Sequence, residues 1–238
     1  MRHRSTGTAV PPGSTVTQVI GRYPAIDVSP VVEGGRYPVK AVVGETLPVS
    51  VTAFREGHDA MGVEVQFVPP GFTDTDVEIG APDAPLRRMH EVGPTEPDRW
   101  TVDVQLESEG DWSYFIVTWG DPYETWKHKA EIKLPAGIDV ELELEEGARV
   151  LDRAAASAGN EHARKVLTEA SAAMRDTAET AEQRLYAAEA PAVQDALQAF
   201  PLRELPAWYG PYPVRVERAR ALYGAWYEFF PDPRAPRS

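Results

Sequence analysis

The sequence of 238 residues contains no cysteine, which excludes disulfide bonds and thiolate metal ligands. No apolar run approaches the ~18 consecutive residues that a membrane-spanning helix needs. A basic excess is also missing, because 37 acidic residues outnumber 24 lysines and arginines and leave a formal net charge of −13. Binding to a nucleic-acid backbone requires basic groups that displace counterions. We therefore predict a cytoplasmic protein with no nucleic-acid partner and no membrane partner.

The short motifs of common catalytic sites are also missing. There is no Walker loop, no dinucleotide-binding fingerprint and no nucleophile elbow. The five histidines, His3, His58, His90, His128 and His162, do not stand at the spacing of metal ligands. The pair His58-Asp59 suggests a catalytic pair, but a turn that bonds its own backbone explains it better. We expect no catalytic residue, no cofactor and no metal in this chain.

Residues 36–134 alternate apolar and polar side chains with a period of two. The apolar sets are Leu47, Val49, Val51 and Ala53; Val63, Val65 and Phe67; Trp100, Val102, Val104 and Leu106; and Ala130, Ile132 and Leu134. Each set predicts a strand with one buried face. Residues 112–119 are apolar at nearly every position, which predicts a central strand. Short strands without helices between them are typical of an immunoglobulin-like β-sandwich.

Two further segments belong to this strand-rich part of the sequence. Prolines interrupt residues 69–98, which predicts a long loop or irregular edge with one strand near 86–92. After Pro206, Val214 and Val216 alternate with polar residues and predict a final strand over 212–218.

From about residue 139 the apolar period becomes helical. We favour a helix from Asp139 to about Ala156, because leucine, glutamate, alanine and arginine dominate and Asp139 can cap it. A strand is the alternative here, since Ile138, Val140, Leu142 and Leu144 also alternate with acidic residues.

Capping signals predict three more helices. They are Asn160 as an N-cap, Asp176 with Glu179 as a capping box, and Pro191 at a first helical position. Four short helices with alanine-rich stripes indicate a small antiparallel bundle.

The strand-rich part and the helical part of the sequence together predict an α+β fold. In this fold, an immunoglobulin-like antiparallel β-sandwich carries an inserted small antiparallel helical bundle. The predicted organisation is a disordered leader over 1–21, a discontinuous sandwich domain over 22–138 and 206–230, a helical bundle over 139–205 and a polar tail over 231–238.

The last apolar segment, residues 222–230, is aromatic on both faces of an extended chain. Trp226 and Phe230 point to one face, and Tyr227 and Phe229 point to the other. A strand of this kind should be covered on both faces. The sandwich supplies one cover, so we predict that these four residues form an interface with another domain or subunit.

A second group of aromatic residues, Trp119, Tyr123 and Trp126, flanks a Gly-Asp-Pro turn. If these rings are exposed at the surface, they are candidates for stacking on a sugar. On this alternative the chain is a free-standing glucan-binding β-sandwich module, with an α-glucan as its ligand.

Three segments together resemble one enzyme family. They run from Lys40 to Asp59, from Thr125 to Ala148, and over the residues 218–231, RARALYGAWYEFFP. They are similar to the N-terminal region of the bacterial α-1,4-glucan:maltose-1-phosphate maltosyltransferases of the α-amylase superfamily, and the last segment is the most specific. The order and spacing of the three segments carry the resemblance, which spans residues 22–231.

The resemblance implies retaining transfer of maltosyl from maltose 1-phosphate to α-glucan. It also implies a β-sandwich with a helical insertion, both involved in dimerisation. The family's catalytic carboxylates belong to a (β/α)8 barrel that is expected to follow where residues 231–238 stand, so no catalytic residue is carried over. We therefore expect a non-catalytic assembly region, truncated or split from its barrel and inactive alone. Its expected partner is a second copy of the chain or a separately encoded barrel.

Overall fold

The computed structural model describes residues 22–72, 86–91 and 96–223. These residues form nine strands: β1 (Ala25–Ser29), β2 (Val39–Val42), β3 (Thr46–Ala53), β4 (Met61–Val68), β5 (Leu86–Arg88), β6 (His90–Glu91), β7 (Arg99–Gln105), β8 (Gly110–Gly120) and β9 (Glu204–Glu217). All five α-helices come between β8 and β9: α1 (Pro122–Lys133), α2 (Val140–Ser157), α3 (Glu161–Met174), α4 (Ala181–Ala188) and α5 (Pro191–Ala199).

The strands form two largely antiparallel sheets. One has the order β1-β3-β7-β6 and the other has the order β2-β9-β8-β4-β5. The pairing of β2 with β9 is parallel, whereas the other pairings among the described strands are antiparallel. A single cluster of buried side chains draws residues from both sheets, among them Val49, Val51, Val65 and Ile116. The fold is therefore mixed α and β, with a hydrophobic core shared by the two sheets.

The period-two pattern located three of these nine strands correctly. The predicted strands at Leu47, Val63 and Trp100 are β3, β4 and β7. The apolar run 112–119 lies in β8, which pairs with β9 and β4 and is central as predicted. The strand predicted near 86–92 is two short strands, β5 and β6, in different sheets. The final strand is longer than predicted, because β9 already begins at Glu204.

The strand predicted at Ala130, Ile132 and Leu134 is wrong, because residues 122–133 form helix α1. This helix lies inside the range that the pattern assigned to the β-sandwich. Asp121 caps it by accepting a hydrogen bond from the backbone N of Glu124 at 3.0 Å, and Pro122 occupies its first turn. A helical stripe, Tyr123, Trp126 and Ala130, is buried, whereas Ile132 is 61% exposed. Burial of these two aromatic rings stabilises the helix more than the local alternation of apolar and polar residues stabilises a strand.

The predictions for the later helix starts were partly correct. Asn160 caps α3 by accepting from the backbone N of Ala163 at 2.7 Å, and Pro191 is the first residue of α5. The helix preferred after Asp139 is α2. The side chain of Asp139 makes no capping hydrogen bond and instead lies 3.6 Å from the ammonium group of Lys133.

The capping box predicted at Asp176 and Glu179 is wrong. The box is formed by Thr180 and Gln183, which exchange hydrogen bonds at the start of α4. Asp176 instead accepts from the backbone N of Ala178 within the preceding turn. Thr180 is the residue with extended backbone angles directly before the helix, and that geometry decides the cap.

The helices bury a second hydrophobic cluster that shares no residue with the cluster between the sheets. Its fully buried members include Leu144, Leu151, Leu167 and Met174. None of the described helices is both long and apolar enough to cross a membrane. The strand-rich part and the helical part of the chain thus each have a hydrophobic core of their own.

Candidate functional site

A cleft of about 690 Å³ lies where the strands meet the helices. Its strand side comes from Tyr23 and from Asp59 and Ala60 before β4, and its helical side comes from α1 and α2. The lining residues are Tyr23, Asp59, Ala60, Gly120, Asp121, Pro122, Thr125, Trp126, Lys129, Glu146, Arg149, Val150, Asp152, Arg153 and Glu204. Two of these lining residues, Trp126 and Val150, belong to the hydrophobic cluster of the helices.

Three hydrogen bonds, two of them made by the hydroxyl group of Thr125, link residues that line the cleft. The backbone N of Ala60 donates to the hydroxyl oxygen of Thr125 at 2.7 Å. That hydroxyl donates to the carbonyl of Asp121 at 2.7 Å, and the backbone N of Asp121 donates to the carbonyl of Ala60 at 2.8 Å. This closed set of bonds fixes the turn before β4 against the first turn of α1.

The ring of Tyr23 is held at the edge of the cleft. Its backbone carbonyl accepts from the hydroxyl groups of Thr118 at 2.7 Å and Tyr209 at 3.0 Å. Its own hydroxyl lies over Gly120, where an added Cβ atom would approach it to 2.1 Å. Glycine at position 120 therefore makes room for the tyrosine at the end of β8, just before α1.

Ion pairs join the elements around the cleft mouth. Lys129 of α1 lies 3.3 Å from Glu146 of α2, and Arg153 of α2 donates to Glu204 at the start of β9. The side chains of these four residues are about half exposed. Their carboxylates and cationic groups thus remain accessible to a bound molecule while they hold α1, α2 and β9 in place.

Neighbouring arginines lower the pKa values of carboxyl groups in α2, on the helical side of the cleft, and Asp152 is one of them. Burial raises the pKa of its carboxyl group, but hydrogen bonds from Arg175 and Ser171 and the charge of Arg175 outweigh burial and hold the pKa below its usual value. Arg175 and Arg149 lower the pKa of the neighbouring Glu145 through hydrogen bonds. These carboxylates are stabilised in the ionised state, as hydrogen-bond acceptors.

A carboxyl group whose pKa is lowered is a poor general acid. Glycoside chemistry needs a carboxylic acid whose pKa is raised, so that it can protonate the leaving oxygen. The described carboxyl groups with a resolved pKa shift are Glu141, Glu145 and Asp152, and all three pKa values are lowered. Among the residues that the structure describes, no group of three or more His, Asp or Glu side chains is placed to hold a metal ion.

The three residues predicted to stack on a sugar are not exposed as that prediction required. Trp119, Tyr123 and Trp126 are 0%, 3% and 2% exposed. Trp119 packs against Gly62, where an added Cβ atom would lie 2.1 Å from the indole ring. Burial of these side chains removes the premise of the prediction, although Trp126 is among the residues that line the cleft.

Hydrogen bonds explain why two of these rings turn inward. The hydroxyl of Tyr123 donates to the carbonyl of Ala188 at 3.0 Å and accepts from the amide of Gln194 at 2.6 Å. The indole N of Trp126 donates to the carbonyl of Glu143 at 2.7 Å. Each polar group is satisfied inside the helical core, so burial of the aromatic ring proceeds without an unpaired donor.

The interface residues predicted at Trp226, Tyr227, Phe229 and Phe230 lie outside the described residues. The sequence also did not point to the charged residues of the cleft. The sequence singles out Asp59 only in the pair His58-Asp59, for which a turn is the preferred explanation, and Arg149, Asp152 and Arg153 resemble any charged helix surface. No local pattern reveals them, because only the packing of α2 beside the turn before β4 brings them together.

Comparison with known proteins assigns this fold to a family. The model of the α-1,4-glucan:maltose-1-phosphate maltosyltransferase family, domain N/S, matches residues 21–218. The chain is 49% identical to maltosyltransferase 1 of Streptomyces coelicolor, covering 90% of the chain and 30% of that protein. It is 46% identical to maltosyltransferase 2 of the same organism, with 91% and 31% covered. It is 34% identical to the maltosyltransferase of Mycobacterium tuberculosis, with 97% and 34% covered.

The chain spans about a third of the length of these relatives. The resemblance seen in the three sequence segments is thereby confirmed across both the strand-rich and the helical parts. The chain belongs to the α-1,4-glucan:maltose-1-phosphate maltosyltransferase family and corresponds to its N-terminal region, domain N/S.

Proposed function

We propose that this chain is the non-catalytic assembly region of a maltosyltransferase that transfers maltosyl from maltose 1-phosphate to α-1,4-glucan. The match of domain N/S to residues 21–218 carries the proposal, because the matched part covers about 30% of relatives that are named for this activity. The role is structural: the region presents surfaces on which the enzyme assembles.

The finer architecture belongs to the same proposal. We interpret the two sheets as an immunoglobulin-like sandwich and the helices as an insertion into it. Two features support this reading: the helices interrupt the chain between the paired strands β8 and β9, and the two hydrophobic clusters share no residue. An insertion of this kind leaves each unit able to present its own surface.

A first prediction concerns catalysis. The purified chain is expected to release no phosphate from maltose 1-phosphate in the presence of an α-glucan acceptor. The reason is that the resemblance assigns the family's pair of catalytic carboxylates to a (β/α)8 barrel, whereas residues 21–218 match domain N/S. A phosphate-release assay measures this, with a maltosyltransferase relative as positive control. Turnover by the chain, free of host enzyme, would contradict the non-catalytic role.

The proposed assembly is a homodimer, and an apolar surface around the turn between α1 and α2 supports it. Ile132, Ile138 and Leu142 are 61%, 51% and 56% exposed, and they lie close along the chain. Lys133 joins the two sides of this turn through its contacts with Asp139 and Glu143. Contiguous exposed apolar residues mark association surfaces, and we propose that these three residues form one.

A second prediction tests this surface. Replacing Ile132 and Leu142 by serine is expected to shift the chain towards monomer in sedimentation velocity, because burial of the two side chains favours association. A matched control replaces Lys165 and Glu169, an exposed pair on α3, by serine. Replacing Tyr227 and Phe229 by serine tests the predicted C-terminal interface in parallel. A dimer that survives both sets of changes would exclude these surfaces.

A further inference from the structure

The outer face of the five-stranded sheet carries apolar side chains of β8. Tyr114 and Ile116 of this strand lie in the core between the two sheets. Because side chains alternate along a strand, Phe115, Val117 and Trp119 point to the opposite face. These three side chains are only 6%, 2% and 0% exposed, yet none of them belongs to either hydrophobic cluster of the described residues. A sheet face cannot bury itself, so this face needs a further covering layer.

Buried polar groups lie on the same outer face. The sheet register places Gln66 of β4 opposite Phe115, and Trp208 of β9 opposite Val117. Gln66 is fully buried, but its amide N and O have no hydrogen-bond partner among the residues that the structure describes. The indole N of Trp208 is likewise buried without a partner in the described part of the chain. Buried groups of this kind are normally paired, so the covering layer should offer both donors and acceptors.

Arg203 adds a cationic group to this face. Its Nη2 atom donates to Glu64 at 2.7 Å, and its guanidinium carbon lies 5.1 Å from the centre of the Trp119 ring. Glu64 is opposite Val117 in the sheet, so the ion pair lies on the outer face. The Nε atom of Arg203 is buried and has no partner within the described ranges. A carboxylate in the covering layer would be a strong acceptor for this donor.

One stretch outside the described residues has the composition to cover this face. The stretches are 1–21, 73–85, 92–95 and 224–238. All of their aromatic residues lie between positions 226 and 230. In an extended segment Trp226, Glu228 and Phe230 share one side, whereas Tyr227 and Phe229 share the other. The first side presents two aromatic rings with a carboxylate between them, which matches an apolar face that contains a cationic group.

The end of the described chain brings this segment within reach. The 3-10 turn Ala219–Tyr223 contacts β2, which is at one edge of the five-stranded sheet. Strands are about 4.8 Å apart, so β8 lies about 10 Å away across the sheet and β4 lies about 14 Å away. Extended residues 224–230 span about 23 Å, which is sufficient. The cluster between the sheets fills the inner face, so the outer face is the one left to cover.

We propose that residues 224–230 pack as an extended segment across the outer face of the five-stranded sheet. Trp226 and Phe230 contact the apolar side chains of β8, and Glu228 lies on the same side as the acceptor for Arg203. Tyr227 and Phe229 then point away from the sheet and are left to contact a partner. The inference concerns a contact within one chain, so it does not depend on the assembly role proposed above.

The test measures how well the segment protects the sheet, in the full 238-residue chain, which has no cysteine of its own. Val117→Cys places a single thiol on the outer face, and its alkylation rate is followed by mass spectrometry. Asp103→Cys, an exposed position in β7 of the other sheet, is the unprotected reference. The thiol at position 117 should react at least about tenfold more slowly than this reference, because the covering segment must open first.

Paired serine variants in the Val117→Cys chain identify the cover. Trp226→Ser with Phe230→Ser should raise the alkylation rate at least about fivefold, because the two rings provide most of the contact. Tyr227→Ser with Phe229→Ser is the matched control, which removes two aromatic rings from the other side and should leave the rate unchanged. Circular dichroism checks that each variant is folded. If Val117→Cys does not fold, Ser113→Cys supplies a half-buried thiol on the same face of β8.

Four outcomes in a folded chain would overturn the proposal. A thiol that reacts as fast as the reference would show that the face is uncovered. Equal effects of the two serine pairs would remove the distinction between the sides of the segment. An unchanged rate in both pairs would assign the cover to another part of the chain. Protection that is lost on dilution would show that a second copy covers the face, because a contact within one chain does not depend on protein concentration.

Discussion

Replacing residues 121–202 by a four-residue turn is expected to leave the two sheets folded and to remove the helical signal. The register of β8 and β9 places Gly120 opposite Glu204, so a short turn can close the hairpin directly. Retaining Arg203 matters, because its guanidinium donates to Glu64 at 2.7 Å and lies 5.1 Å from the Trp119 ring. The measurement is circular dichroism with a thermal melt, and a cooperative transition of strand type is the expected result.

A second deletion serves as the control for the first. Removing residues 139–205, the range suggested by the sequence, leaves α1 attached with Tyr123, Trp126 and Ala130 deprived of their helical partners. We expect this variant to aggregate or to melt at a lower temperature, because two large aromatic side chains become exposed. If the variant in which a four-residue turn replaces residues 121–202 also fails to fold, the two hydrophobic clusters act as one cooperative core.

Gly147→Ala is expected to destabilise the helical region by about 2 kcal/mol or more, since overpacking a core commonly costs about 1–3 kcal/mol. A Cβ atom at this position in α2 would lie 2.2 Å from the indole ring of Trp126 and 2.6 Å from the methyl group of Met174. Alanine has a higher helix propensity than glycine by about 1 kcal/mol. The clash with two buried side chains outweighs that gain. Urea unfolding followed by the helical signal measures the change.

The double variant Gly147→Ala with Trp126→Leu distinguishes this clash from a general loss of packing. Trp126→Leu alone is expected to destabilise the chain, because it leaves a cavity and removes the hydrogen bond to the carbonyl of Glu143. Together the two changes should cost less than the sum of the single effects, since the smaller side chain makes room for the new methyl group. Additive effects would show that the Gly147 contact with Trp126 does not limit stability.

Local sequence determined the elements whose signals come from neighbouring residues. Period-two alternation located β3, β4 and β7, and a continuous apolar run located the central strand β8. Side-chain caps at Asn160 and a proline at position 191 located two helix starts. In these cases the deciding hydrogen bonds or apolar spacing lie within a few residues, so a short window of sequence contains the physical cause.

Tertiary structure decided the rest, because the deciding contacts join residues far apart in the chain. Helix α1 forms where local alternation indicated a strand, because Trp126 packs against Gly147 of α2. Trp119 is buried because β8 pairs with β4 and places the ring over Gly62. The cleft forms because the turn at Asp59 packs beside α2, and no local sequence pattern predicts that packing. The sequence by itself determined a strand-rich part, a helical part and a family resemblance, whereas long-range packing determined which side chains are buried and which line the cleft.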